Sequence, residues 1–194
     1  MKNRKIALAL VSFASVALLA ACGSAPASNS TAPGNEIGDT IKIGYNLELS
    51  GAVAAYGQAE KNGADLAVEE INAAGGIDGK KIEVVSKDNK SDNAEAATVN
   101  TNLATEEKVV AIIGPATSGA VAAATPSANQ AAVPLLTPSG TQDDLTVKDG
   151  KVEEYIFRST FQDSFQGKVL ASYATNNLSA KKVVLYSDNS SDYA

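Results

Sequence analysis

Three short segments hold most of the side chains that could do chemistry: Leu49-Ser50-Gly51, Gly114-Pro115-Ala116-Thr117-Ser118-Gly119 and Thr137-Pro138-Ser139-Gly140-Thr141. All are small, hydroxyl-bearing and glycine-bearing. Two lead towards helical patterns, whose free N–H groups and positive dipole end suit an anion. Ser118 and Thr141 can add hydroxyl donors to a carboxylate or a phosphate. The same hydroxyls also serve as helix caps and turn formers, so for one segment alone both readings stand. Other chemistries are excluded more firmly. Histidine is absent, which removes Ser-His-Asp and Cys-His catalysis and the commonest zinc ligand. Ser118 lies outside a GxSxG frame, no GxxxxGK[ST] occurs, and no GxGxxG follows the first apolar run. Asp65, Glu69, Glu70 and the Asp143-Asp144 pair show no metal-ligand pattern and read as solvated faces and turns. No metal and no cofactor are expected.

The segments between these loops predict how they are held. Residues 41–47 read as a strand, and 57–74 place Ala64, Ala67, Val68 and Ile71 at the spacing of a helix with one buried face. Gly75-Gly76 stops that helix, and Asp78-Gly79 makes a turn. A second strand follows at 81–87. Asp92 caps a second helix, with Glu95 three residues on as in a capping box, and Ala96, Val99 and Leu103 line one face. The run 109–113 is continuously apolar, as for a strand buried on both faces of a parallel sheet. A helix over 118–131, a strand at 133–137, a polar loop through Gly150, a strand at 154–158, a helix at 164–177 and a strand at 182–187 complete the order. This alternation predicts an α/β fold: a doubly wound parallel sheet with right-handed crossovers. Ligands of such sheets sit beyond the carboxyl ends of the strands, where the three hydroxyl-rich segments fall.

The amino terminus predicts a destination. Lys2, Arg4 and Lys5 precede an apolar run over 6–21, which ends in Leu19-Ala20-Ala21-Cys22. That is the order of a bacterial secretory signal, and the run is short against the roughly 20 residues of a membrane span. Cys22 is the only cysteine. It reads either as a small buried hydrophobe or as a lipid-bearing first mature residue, and its surroundings favour the lipid. Residues 22–40 are mostly Ser, Ala, Pro, Gly, Asn and Thr, a composition that predicts a flexible tether. Removal of residues 1–21 takes away three bases and no acid, leaving 13 basic against 22 acidic residues, a net −9. An acidic surface of that kind opposes nucleic-acid binding.

The lipobox-like LAAC, the run LSGAVAAYGQAEKNGADLAVEEINAAGGIDGKKIEVV, the DNKSD segment, VVAIIGPATSGA and VPLLTPSGT together resemble the branched-chain amino acid (leucine/isoleucine/valine) binding proteins of ABC transporters. These are type I periplasmic-type solute-binding proteins, and the resemblance covers residues 41–194. It implies two α/β lobes closing on a ligand: a first lobe at 41–158, and over 159–194 the hinge crossing and the start of an incomplete second lobe. It also implies that Ser118 and Thr141, with neighbouring backbone N–H groups such as those of Thr117 and Gly140, hold a ligand carboxylate. The Ser139 carbonyl, helped by Thr141, would meet the ammonium. Tyr56 would border the apolar side-chain pocket, and Tyr193 would cover it from the second lobe. Where some members carry a disulfide between the loops after the second and third strands, this chain has Ser91 and Thr117.

The function implied is an extracytoplasmic, lipid-anchored receptor that captures a branched-chain or similar amino acid and delivers it to ABC permease membrane subunits, with no covalent chemistry. Alternatives are a ligand-sensing domain of the same fold, an exported enzyme, opposed by the missing histidine, and a truncated product unable to bind.

Overall fold

The computed structural model describes residues 34–188; Cys22, most of the segment 22–40, and Tyr193 lie outside them. The element order is β1 (Ile41–Leu47), α1 (Ala54–Ala73), β2 (Ile82–Asp88), α2 (Asn93–Thr105), β3 (Ala111–Ile113), α3 (Ser118–Ala131), β4 (Leu135–Thr137), β5 (Val147–Lys148), β6 (Lys151–Val152), β7 (Ile156–Arg158) and α4 (Asp163–Asn176). Five strands form one parallel sheet in the order β2-β1-β3-β4-β7. The chain first steps from β1 out to β2, then crosses back over β1 to β3. β1 and β3 are therefore neighbours whose connections leave in opposite directions, and a crevice opens between their carboxyl ends.

Alternation along β1 shows which helix covers which face. Gly44 and Asn46 point towards α2: a Cβ on Gly44 would meet the Leu103 side chain at 3.0 Å, and the Asn46 amide donates to the Ala96 carbonyl at 2.9 Å. Tyr45 points the other way, towards Asp65 of α1, and burial first and the Asp65 charge second push its hydroxyl up to about 12. The apolar core lies on the α2–α3 side, with Leu103, Val109, Ile112, Val121, Ala124 and Leu135 at its centre.

Local signals act as the sequence predicts. Asp92 accepts the Glu95 N–H at 2.8 Å and caps α2, although the Glu95 carboxylate turns to Lys90 at 2.9 Å and the reciprocal half of the box is not made. Ala96, Val99 and Leu103 are buried. Gly75 and Gly76 both take positive φ and end α1, with the Gly76 N–H returning to the Ile71 carbonyl.

Four expectations need correction. The covered face of α1 is turned: Ala64 and Val68 are half-buried, whereas Ala67 and Ile71 are exposed. The cause is Gly57, where α1 docks so closely on the end of β1 that a Cβ would stand 2.3 Å from the Glu48 carbonyl oxygen. That contact fixes the helix rotation. Second, the run 109–113 is not buried on both faces: Ala111 and Ile113, which alternate with the buried Ile112 and face the α1 side, are only half-buried, as is Val110 ahead of the strand. Third, the stretch through Gly150 is not all loop: β5 and β6 pair as a two-stranded hairpin turned at Asp149-Gly150. Fourth, residues 182–187 form no strand: no described residue pairs with them, and Val184 and Leu185 are almost fully exposed. A strand without a neighbour has no ladder to stabilise it.

Candidate functional site

The carboxyl ends of β1, β3 and β4 bring the predicted loops together, and buried polar side chains fasten them. At the end of β1, Glu48 is fully buried. One of its oxygens accepts the Ala116 N–H at 3.0 Å; the other accepts the Thr117 N–H at 3.1 Å and the Thr117 hydroxyl at 2.8 Å. Glu48 thus closes the floor of the β1–β3 crevice. From β4, the buried Thr137 hydroxyl donates to the Pro115 carbonyl at 2.7 Å and accepts the Gly140 N–H at 2.9 Å. This pairing explains Gly140, because a Cβ there would lie 2.7 Å from the Thr137 hydroxyl oxygen.

The next layer carries Ser118 and Thr141, both buried, and the half-buried Ser139. Ser118 opens α3, and its Oγ accepts the N–H groups of Thr141 and Gln142, both at 3.2 Å. With its oxygen so engaged, the Ser118 hydroxyl keeps its own proton to donate, beside the positive end of α3. Ser139 Oγ lies 2.9 Å from the Ala116 carbonyl and 2.5 Å from Glu60 Oε1. Among the described residues, no hydrogen bond uses the Ser139 carbonyl or the Thr141 hydroxyl. The Thr141 turn is held from behind by Arg158 at the end of β7, whose guanidinium donates to the carbonyls of Thr141, Gln142 and Asp143 at 2.9–3.2 Å. Asp143 in turn accepts the Ser164 N–H, and this bond leads in holding its carboxyl below the usual range.

On the far side of β1, Asp88 organises the turn before α1. Burial pushes its carboxyl up, but hydrogen bonds from the Ser50 hydroxyl and the N–H groups of Lys90, Leu49 and Ser50 outweigh burial and hold it low. Ser91 joins the same turn, donating to the Ser50 carbonyl at 2.7 Å. Ser91 and Thr117 therefore each tie to the segment after β1, not to one another.

Of the predicted site residues, Thr117, Ser118, Ser139, Gly140 and Thr141 meet at this edge. The Thr117 hydroxyl is turned inward to Glu48. Tyr56 sits exposed in the first turn of α1, and Tyr193 lies outside the described residues. Sequence reasoning missed Glu48, Glu60 and Arg158, and had Thr137 only as part of its hydroxyl-rich segment, with no role of its own. Glu48 and Arg158 carried a signal, as charged residues at strand ends; Arg158 is also the only arginine beyond Arg4. Glu60 carried none, since only the Gly57 contact turns it inward.

The sequence matches the family described as periplasmic binding protein over residues 40–193. It is 33% identical over 148 residues to an amino acid binding protein of Pseudomonas aeruginosa, covering 76% of this chain and 39% of that one. It is 31% identical over 172 residues to the Leu/Ile/Val-binding protein of Escherichia coli, covering 89% of this chain and 44% of the other. Among solved structures it matches the branched-chain amino acid transporter substrate binding protein LivJ of Streptococcus pneumoniae, in complex with isoleucine. There the identity is 65% and the TM-score 0.75, over 80% of this chain and 43% of that one. The chain spans about two fifths of the length of these relatives. Sheet order, the loops gathered at its carboxyl edge and the match along nearly the whole body agree: the chain belongs to the periplasmic binding protein family and has the α/β fold of its type I members.

Proposed function

We propose that this chain forms the first ligand-binding lobe of an extracytoplasmic receptor for a branched-chain or similar amino acid, which passes its ligand unchanged to an ABC permease. The observation that carries the reading is the convergence of Ser118, Ser139 and Thr141 on one sheet edge, beside the positive end of α3. The Ser118 proton, the Thr141 hydroxyl and the first-turn N–H groups of α3 are donors for a carboxylate. The Ser139 carbonyl is an acceptor for an ammonium. A zwitterion needs both kinds, and an aliphatic tail needs an apolar wall, to which Tyr56 contributes from this lobe and Tyr193 from the segment beyond it. Lobe closure then links binding to the shape the permease reads. Cys22, acylated, holds the receptor at the membrane.

Equilibrium dialysis of the native protein, isolated from its own cell envelope, against labelled isoleucine, leucine and valine tests the reading. Saturable, one-to-one binding with the amino acid recovered intact is expected. Absence of saturable binding to all three, or turnover of any, would overturn it. The intact mass of the same preparation checks for a lipid on Cys22.

A further inference from the structure

Ser139 stands between two acceptors with one proton to give. Its Oγ lies 2.9 Å from the Ala116 carbonyl and 2.5 Å from Glu60 Oε1. A hydroxyl donates one hydrogen bond, so both contacts are satisfied together only when Glu60 is protonated and donates to Ser139, which donates onward to Ala116. The chain Glu60–Ser139–Ala116 then ties α1, the loop after β4 and the loop after β3 into one unit. When Glu60 is ionised, the Ser139 proton turns to the carboxylate and the Ala116 carbonyl loses its partner. Ala116 is the residue whose N–H is fixed by Glu48, two positions before Ser118.

We propose that Glu60 is a positioning residue for the ligand loops, holding the β3 and β4 loops together in its protonated form and loosening them when it ionises. The proposal rests on the reading of this edge as the amino acid site.

Three further observations support it. Among the described residues, Glu60 Oε2 is buried without a hydrogen-bond partner, a poor setting for a charge and a tolerable one for a neutral acid. Among the described residues, the ionisable surroundings offer Glu60 no cation. Its neighbours on α1, Lys61 and Asp65, pair with each other at 2.5 Å. From β1 and the residue after it come the Tyr45 hydroxyl beside Asp65 and Glu48, whose charge opposes a second one. Asp88 at the end of β2 and Lys90 after it are engaged with the Leu49–Ser50 backbone, with Glu95 and with each other's segment. The loops 114–118 and 137–141 carry no ionisable side chain. Burial first, with the Glu48 charge adding to it and the Ser139 bond opposing it, pushes the Glu60 carboxyl up to about 7.

The test is an isoleucine titration of the native protein between pH 6 and pH 8.5, a range in which isoleucine itself stays zwitterionic. If only the protonated form holds the loops, affinity falls up to about 30-fold across the range, from the fraction of competent protein. Glu60→Gln, whose amide donates to Ser139 at every pH, is expected to bind with one affinity throughout, and Ser139→Ala likewise loses the pH dependence. A change under about threefold in the unmodified protein, or a Glu60→Gln profile that follows it, overturns the proposal. Amide NMR on the same proteins separates this failure from that of the site reading. The Ser139, Gly140 and Ala116 signals must move with one midpoint near the Glu60 value and stand still in Glu60→Gln, whether or not isoleucine binds. Signals that do not move, or that move in the variant too, refute the role of Glu60. Moving signals without isoleucine binding refute the amino acid assignment alone.

Discussion

Replacing Glu48 by glutamine changes one buried atom and two hydrogens, yet the structure makes it costly. The carboxylate is fully buried and meets three donors: the Ala116 N–H, the Thr117 N–H and the Thr117 hydroxyl. Glutamine keeps one acceptor oxygen. If that oxygen stays with Thr117, the amide NH2 faces the Ala116 N–H, donor against donor. A hydrogen bond to a charged acceptor contributes about 1.5–3 kcal/mol, and a buried donor left unmet costs about 1–3 kcal/mol; the two figures overlap and are not summed. Against them stands the relief of no longer burying a charge. The net expectation is a loss of about 2 kcal/mol, or roughly 4–8 °C in Tm for a body of this size. Glu48→Ala, with three unmet donors and a cavity, is expected to lose about 4 kcal/mol or more. Urea denaturation followed by circular dichroism reads both values. A double-mutant cycle with Thr117→Val isolates the hydroxyl contact, with an expected coupling of about 1 kcal/mol. A Glu48→Gln protein within about 0.5 kcal/mol of the parent, or more stable than it, would refute the reasoning, because desolvation of the charge would then outweigh its three bonds.

Two other perturbations follow from the same geometry. Gly57→Ala replaces a poor helix former with the best, a gain of up to about 1 kcal/mol in an exposed helix. Here the Cβ would collide with the Glu48 backbone at 2.3–2.8 Å, so a net loss of about 1–3 kcal/mol is expected, and a more stable variant in the same denaturation assay would contradict the docking of α1. The stability of the parent should also fall as pH rises. Glu60 binds its proton more tightly folded (about 7) than unfolded (4.5), so its contribution is fully present below 4.5 and lost as pH passes 7. The undiscounted shift corresponds to about 3 kcal/mol, and partial exposure reduces that to roughly 1–2 kcal/mol. Asp88, with its carboxyl lowered, acts oppositely, its contribution being lost as pH falls through its folded value. Denaturation midpoints between pH 5 and pH 8 should therefore decline in the parent and decline less in Glu60→Gln; identical slopes would contradict the burial assigned to Glu60.

What could be read in advance was short-ranged. The Asp92 cap, the Gly75-Gly76 stop and the strand at 41–47 each depend on residues a few positions apart, and each is where the sequence placed it. The hairpin at 147–152 had a local signal too, since Asp149-Gly150 between two valines is a two-residue turn pattern, but the polarity around it read as loop. The wiring of the site was different in kind. Glu48 meets its partners 68 and 69 positions away, and Glu60 meets Ser139 at a separation of 79. No periodicity registers contacts of that length. The rotation of α1 was hidden for the same reason, because a glycine contact with another strand's end decides it and the apolar spacing of 64–71 does not.

The placement of Glu48 also bears on what such an edge can bind. Parallel strands leave backbone donors pointing into the crevice where the connections diverge, and those of Ala116 and Thr117 would be buried unmet without an acceptor. A hydroxyl or an amide on β1 could satisfy one or two of the three donors; a carboxylate satisfies all of them and fixes both residues ahead of α3. In the proposed reading, the groups that face the ligand, Ser118 and Thr141, are thereby held one layer above a floor that needs no ligand to complete it, so less ordering remains to be done on binding. The floor is not neutral either: the Glu48 carboxylate lies against the N–H groups that lead into α3, where it draws on the positive end of that helix. Within the proposed reading, the pull on a ligand carboxylate then falls chiefly to the Ser118 and Thr141 hydroxyls.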